Sequence, residues 1–337
     1  METEAVGRTL AAERRSRFWA KVVPIAVIMV GLLLLPVVHL ALDMNLNFYL
    51  NLILIMFMHS ALASSWNIMG GYTGYISLGH NVFFAIGGYF SGMLLLRLGV
   101  PVFLSAPFAG IAAMLVGLLV GFITLRVRGP SFIIATIALV LVTRITLDNW
   151  GFVGGTNGKS LPLLVESAKY AKIPFYYGML LVAIGAVALS YRIRHSKLGL
   201  GLRAISQDEI KAESSGIPTN MYKIIAYALS GLFIGMAGAL WGQYLTYIAP
   251  NIFLLVLVGA QMVLMSILGG KGTVAGPVVG AVLVILINEF FLNQFGGTEL
   301  NILGTGLLML LVLLFFPDGV VGSLRNMGRL PGFLDWD

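Results

Sequence analysis

The sequence predicts an all-α, polytopic transmembrane helical bundle of about ten spans with both termini cytoplasmic. Three observations carry that expectation. Hydrophobic residues make up 58% of the 337 positions and charged residues 10%, against about 25% charged in an ordinary soluble domain. The mean hydropathy of +0.94 means that a soluble fold would leave apolar surface it cannot hide. The apolar residues also gather in runs of about 20, the length that crosses the hydrocarbon, and the 41 glycines suit close packing of membrane helices.

The first run, 22–42, follows the basic residues Arg8, Arg14, Arg15, Arg17 and Lys21. It is too long for the h-region of a signal peptide, about 7–15 residues, and no clear A-x-A site follows, so it reads as a retained helix. Pro24 lies near its start and Pro36 marks an expected kink. The second run, 49–69, ends in a glycine-rich break, Met69-Gly-Gly-Tyr-Thr-Gly-Tyr75, containing Gly70, Gly71 and Gly74. The third, 76–96, carries His80 and Asn81 just after that break. These two read either as hydrogen-bonded packing groups or as ligands. The fourth, 102–125, contains the pair Gly117 and Gly121. The fifth, 131–149, holds Arg144, Asp148 and Asn149 in or at its outer end. Ionisable groups at membrane depth are functional suspects by default, and Arg144 is expected to pair with Asp148 or with Glu289.

The longest external loop follows, residues 150–174. Its Gly154-Gly-Thr-Asn-Gly-Lys-Ser160 resembles a phosphate loop superficially, but the pattern needs glycine where Val153 stands. After the sixth run, 175–193, comes the longest internal loop, 194–221. There Ser206 and Glu209 have the spacing of a capping box, with Ser206 at the N-cap. Asp208 and Glu209 fall in the first turn, where the helix dipole favours acids. Gly216 and Pro218 supply the stop. The expectation is a cytoplasmic helix of about ten residues, too short to stand alone in water.

The seventh run, 222–247, carries Gly231, Gly235, Gly238 and Gly242 on one helical stripe. Gly272, Gly276 and Gly280 repeat every four residues at the start of the ninth run, 274–294. Both stripes read as helix-packing surfaces, with a moving seam or subunit contact as the alternative. The eighth run, 253–268, ends in a second break, Leu268-Gly-Gly-Lys-Gly-Thr273. Each break reads either as a tight turn at the membrane face or as unwound backbone lining a path. Asn288 and Glu289 sit near the outer end of the ninth run, and a tenth run, 301–316, precedes the tail.

With alternating spans, 16 of the 21 basic residues fall inside, among them Arg126, Arg128, Arg192, Arg194, Lys197, Arg203, Lys211, Lys223, Lys271, Arg325 and Arg329. Only Arg97, Lys159, Lys169 and Lys172 fall outside, the asymmetry expected of cytoplasmic termini. The chain thus divides into a cytoplasmic N-terminal segment (1–21), a membrane domain (22–316) with loops 150–174 and 194–221, and a cytoplasmic tail (317–337). The net charge of +7 is spent on this bias and does not indicate nucleic acid. Absence of cysteine excludes disulfides, iron–sulfur clusters and thiolate zinc sites, and four scattered histidines offer no metal spacing. No G-x-S-x-G, H-E-x-x-H or paired-carboxylate cluster is present, so no catalytic residue is named.

Trp66-Asn-Ile-Met-Gly-Gly-Tyr-Thr-Gly-Tyr-Ile-Ser-Leu-Gly-His80 closely resembles a hallmark of branched-chain amino acid ABC transporter permeases of the LivM type, a family related to urea and amide permeases. Leu125-Arg-Val-Arg-Gly129, Gly154-Gly-Thr-Asn-Gly158, Ser196-Lys-Leu-Gly-Leu-Gly-Leu-Arg-Ala-Ile205, Leu268-Gly-Gly-Lys-Gly-Thr-Val-Ala-Gly-Pro277 and Phe316-Pro-Asp-Gly-Val320 extend the resemblance in one consistent order from about residue 50 to 322. The chain departs from the pattern at Ser206-Gln207, where relatives often have Arg, and at Leu141, where they commonly have an acid.

The resemblance implies a non-catalytic permease subunit of an ATP-driven importer for branched-chain or related amino acids, in a bacterial or archaeal cytoplasmic (inner) membrane. Its implied partners are a paralogous permease, two cytoplasmic ATPases that bind ATP and Mg, and a periplasmic substrate-binding protein; the chain itself would hold no cofactor. Coupling to the ATPase would fall on Asp208, Glu209, Ala212, Glu213 and Gly216, with Ser206 as the cap. The substrate path would involve Gly70, Gly71, Gly74, His80, Asn81, Arg144 and Glu289. A urea or short-amide importer is the alternative on substrate. An ion-coupled carrier is the alternative class, and it should bury more ionisable groups near mid-membrane than this chain does.

Overall fold

The computed structural model describes residues 23–41, 46–127, 129–164, 170–296 and 299–336. The N-terminal segment with Arg8, Arg14, Arg15, Arg17 and Lys21, and also Arg128 and Lys169, lie outside the described residues. Nine segments among the described residues are long and apolar enough to cross a membrane. They are α1 (Val23–Ala41), α2 (Asn47–Thr73), α3 (Asn81–Leu98), α4 (Val102–Thr124), α5 (Pro130–Asn149), α6 (Lys172–Arg194), α9 (Thr219–Tyr244), the pair α10 (Pro250–Phe253) and α11 (Val256–Gly270), and α12 (Gly276–Phe295). A tenth apolar helix, α13 (Glu299–Phe315), is slightly shorter. Between α6 and α9 stand two short helices, α7 (Lys197–Gln207) and α8 (Glu209–Ser214), and α14 (Gly319–Asn326) follows α13.

The bundle is organised around α2 and α9. Helix α9 packs on α2, α3, α4 and α6, and α2 packs also on α6, α11 and α12. The reason lies in their sequences. Much of α2 is made of small and apolar residues from Ser60 to Thr73, and all of these are buried. Helix α9 brings the glycine stripe to its neighbours. A Cβ on Gly235 would come within 2.6 Å of the Ala113 Cβ and 2.9 Å of the Ala109 carbonyl oxygen, and one on Gly231 within 3.1 Å of the Ala113 oxygen. Gly238 faces the Phe84 carbonyl, and Gly242 meets the Ile248 side chain at 3.0 Å. In membranes this closeness supplies the packing that a hydrophobic effect between helices cannot. Helix α5, by contrast, touches α3, α4, α10 and the loop that follows it and buries only Phe132, Thr136 and Val140.

Loops 194–218, 271–275 and 316–319 gather at one end of the bundle: Gly74 lies beside Ser206, Arg194 donates to the Gly272 oxygen, and Gly270 meets Val321. At the opposite end, β1 (Lys159–Ser160) pairs antiparallel with β2 (Tyr247–Ile248), in register Lys159 with Ile248 and Ser160 with Tyr247. The Gly154–Gly158 turn is held there.

Five expectations from the sequence are corrected. The third span begins at Asn81, because residues 74–80 form neither helix nor strand. The eighth is interrupted at Leu254–Leu255, leaving α10 separate from α11. Only Gly74 breaks the chain at the first glycine motif; Gly70 and Gly71 lie within α2. Gly272 lies in the turn before α12, so Gly276 and Gly280 alone share that helix, packed against the backbone of α11 at Gly270 and Gly269. Finally, the ten-residue helix capped by Ser206 does not exist. Ser206 sits inside α7, which Ser196 caps by accepting from Gly199 N at 3.2 Å. Asp208 caps the six-residue α8. The chain could form either start, and α7 extends through Ser206 because its buried face, Gly201, Leu202 and Ile205, runs on along that helix.

Candidate functional site

The segment Gly74–His80 leaves the end of α2 and re-enters the bundle without forming a helix or strand. Gly74 makes this possible: it sits at φ 80°, a conformation that costs glycine nothing and other residues a Cβ clash. Backbone within a membrane domain must find partners in the protein, and here side chains supply several of them. Trp66 Nε1 donates to Ser77 O at 2.8 Å, Leu78 N to Thr136 Oγ1 at 3.2 Å, Gly79 N to Ser77 Oγ at 3.2 Å, and Tyr75 N to Thr73 Oγ1 at 3.1 Å.

The segment ends at a buried polar pair. His80 Nε2 lies 2.9 Å from Ser230 Oγ, while Ser230 Oγ itself donates to Tyr227 O at 2.7 Å. The hydroxyl proton is therefore spent, Nε2–H is the donor, and Nδ1 is left as an acceptor. Asn81 Nδ2 donates to Leu255 O at 2.9 Å, which joins the first unwound segment to the break between α10 and α11. His80 Nδ1 and Asn81 Oδ1 have no hydrogen-bond partner among the described residues. Both are acceptors at the N-terminus of α3, able to receive a donor or a water molecule. Ser230 stands 11 residues past Thr219, or about 17 Å along α9 at ~1.5 Å per residue. The break therefore reaches well into the bundle.

At the other end of the segment, Tyr75 enters a buried charged cluster. Its hydroxyl donates to a Glu209 carboxylate oxygen and accepts from Lys223 Nζ at 3.3 Å. Lys223 Nζ also donates to Glu209 Oε1 at 2.6 Å and lies 4.7 Å above the Tyr75 ring. The lysine side chain is 0% exposed and that of Glu209 12%. The adjacent Asp208 caps α8, its Oδ1 accepting from Lys211 N at 3.1 Å and Ile210 N at 3.0 Å. The bond from the Lys211 amide first, then the Lys211 ammonium 3.3 Å from Oδ2 and the Ile210 amide, hold its carboxyl below the usual range. Ala212 is buried against the bundle, whereas Ile210, Glu213 and Gly216 face outward. Gly216, at φ 84°, stops the helix as expected.

The remaining sequence-predicted residues are distributed unevenly. Gly71 leaves room for the Asn67 side chain and approaches Gly272; Gly70 lies under the Trp66 ring. Gly71, Ser206 and Gly272, with Tyr72, Arg203, Gln207 and Lys271, line a polar cleft of about 310 Å³. Arg144 pairs with Asp148 at 3.8 Å, on the partly exposed surface of α5. Glu289 instead accepts from Asn293 at 3.5 Å on α12. The two are not brought together, and neither joins the unwound segments. Sequence reading did not single out Lys223, Tyr75, Thr136 or Ser230. A signal existed for two of them: Lys223, Tyr227 and Ser230 recur at i, i+4 and i+7, one polar face on an apolar helix. Among the described residues no group of three His, Asp or Glu side chains is arranged to hold a metal ion.

Residues 48–313 match the family described as branched-chain amino acid transport system, permease component. Among curated proteins the chain is 29% identical to the high-affinity branched-chain amino acid transport system permease protein LivM of Escherichia coli, over 78% of this chain and 68% of the relative. It is 26% identical to LivH of the same organism and to BraD of Pseudomonas aeruginosa, over 78% of this chain and 91% of each. No solved structure was found to match it.

Proposed function

The chain belongs to the branched-chain amino acid transport permease family, and from that membership we propose that it is the transmembrane permease subunit of an ATP-driven importer for branched-chain or related amino acids. In this reading it forms the translocation path with a second, paralogous permease. Two cytoplasmic ATPases bind ATP and Mg and dock at the α7–α8 end, and a periplasmic binding protein delivers solute to the opposite end. The membrane is the bacterial or archaeal inner membrane. The chain performs no covalent chemistry; it binds, excludes and moves.

One observation carries the reading: a short helix with an outward face, α8, is joined through Glu209 to an unwound segment that runs from the bundle's end to His80 and Asn81 in its interior. An ATPase pressing on Ile210 and Glu213 has a direct mechanical line to that interior. Closing and opening of the ATPase pair would favour different positions of α8, and the protein would follow by a shift in population between outward- and inward-open arrangements. Discontinuous backbone at membrane depth is a recurrent feature of solute paths, and the two spare acceptors there suit a solute carrying N–H donors.

The test is co-purification of the chain with the ATPases encoded beside its gene, followed by uptake into vesicles. Leucine uptake that needs ATP, the ATPase and the binding protein supports the reading. Transport of urea or short amides with no response to leucine would move the substrate assignment to the related permeases. Uptake driven by an ion gradient with no ATPase bound would overturn the reading.

A further inference from the structure

We propose that Tyr75, Glu209 and Lys223 form a coupling latch, in which Lys223 and Tyr75 are positioning residues that make the unwound segment follow α8. This inference rests on the importer reading above. The three groups belong to three separate elements: the segment Gly74–His80, α8, and the start of α9. They converge on one carboxylate, with Lys223 Nζ 2.6 Å from Glu209 Oε1 and the Tyr75 hydroxyl donating to the same group.

Two arguments favour a working role over a structural one. A buried ion pair stabilises a fold poorly compared with apolar side chains of similar volume, because both ions lose their hydration. Its recurrent benefit is discrimination between alternative arrangements, here between one register of α8 against α9 and another. The second argument is the segment itself. Side-chain hydroxyls of Thr73, Ser77 and Thr136 hold its backbone where a helical ladder would otherwise run, and such bonds exchange partners individually. Tyr75 and His80 are five positions apart in the chain, so the segment is a short covalent link between the charged cluster and the buried polar pair. Displacement of Glu209 acts through Tyr75 on that link, at whose far end stand the spare acceptors of His80 and Asn81. Glu209 is 12% exposed and Lys223 not at all, so water does not screen the link.

The experiment uses the assembled importer reconstituted in vesicles. Tyr75→Phe removes one hydroxyl and leaves the ring packed on Phe132. The expectation is that ATPase co-purification is retained while ATP hydrolysed per solute transported rises about tenfold, the scale of one lost hydrogen bond to a charged group. Because the chain has no cysteine, Ile76→Cys reports on the segment. Its labelling rate by a small hydrophilic thiol reagent should differ several-fold between resting and vanadate-trapped states, and Tyr75→Phe should abolish that difference. Glu209→Lys combined with Lys223→Glu should restore part of the coupling that either single change removes. Wild-type stoichiometry and nucleotide-dependent labelling in Tyr75→Phe would overturn the latch. Failure of the unaltered chain to bind any ATPase would instead overturn the importer reading.

Discussion

Asn67 and Gly272 are 205 residues apart and are joined by the Asn67 side chain, whose Oδ1 accepts from Gly272 N at 2.9 Å while its Nδ2 donates to Thr273 O at 2.8 Å. One buried amide thus satisfies two backbone groups of the turn between α11 and α12. It ties the two glycine motifs of the sequence into a single clasp at the α7–α8 end. Gly71 is part of it, because a Cβ there would occupy the space of the Asn67 side chain.

Asn67→Leu fits the cavity approximately but leaves the Gly272 N–H and the Thr273 carbonyl without partners, at about 1–3 kcal/mol for each buried group. Asn67→Asp keeps the acceptor and sets a carboxylate against the Thr273 oxygen, so it too should destabilise. The unfolding temperature of the purified protein in detergent should fall for both. Unchanged unfolding in Asn67→Leu would mean that the turn finds other partners.

Gly235→Leu forces a side chain into the contact with Ala109 and Ala113, where backbone cannot retreat. Overpacking of this kind costs about 1–3 kcal/mol, and the yield of monodisperse protein by size-exclusion chromatography should drop. Gly242→Leu should be milder, since its nearest neighbour is the Ile248 γ-methyl at 3.0 Å and the nearest backbone atom is 3.7 Å away. Equal behaviour of the two would contradict the crossing of α9 over α4.

The cap of α8 makes its order depend on pH. The folded Asp208 carboxyl titrates below its ordinary value because the Lys211 amide, then the Lys211 ammonium and the Ile210 amide, favour the charged form. Its stabilisation is therefore complete above the unfolded value and is lost as pH falls through the lower, folded one. A spin label at Ser214→Cys should become more mobile over that acid range. Asp208→Ala should show the mobile spectrum already at neutral pH, and Ser206→Ala should not, because Ser206 caps nothing.

The distribution of basic residues predicts a sidedness that is open to direct measurement. Ser160 and Ser214 are both exposed and lie at opposite ends of the bundle. Single cysteines at these positions should respond oppositely to an impermeant thiol reagent in intact cells, with Ser160→Cys labelled and Ser214→Cys protected. Labelling of both would break the alternation of spans.

The membrane helices were legible because each depends on a local sum. Roughly 20 apolar residues in succession have one low-energy fate in lipid, and Gly74 and Gly216 mark ends that backbone sterics alone require. The stripe on α9 was legible for the same reason, since helical spacing alone puts Gly231, Gly235, Gly238 and Gly242 on one side. The extent of the unwound segment was not. Tyr75, Ile76 and Leu78 have the hydropathy of a span, and hydropathy measures side-chain transfer, not whether an amide bonds to a carbonyl four residues back or to Thr136. The cap of α8 misled for a related reason: Ser206 and Asp208 are both good caps, and the choice was made by the buried face of α7.

By itself, then, the sequence determined a polytopic helical protein, the approximate position of most spans and an ordered set of motifs, all properties of short windows or of motif order. Tertiary structure alone decided that Asn67 holds Gly272, that Asn81 joins the break at Leu255, and that Lys223 is buried against Glu209 and Tyr75. Those pairings are set by which helix faces meet once α2 and α9 are packed. Their hydrogen bonds are worth forming only where water has already been excluded, a condition that no stretch of the chain creates alone.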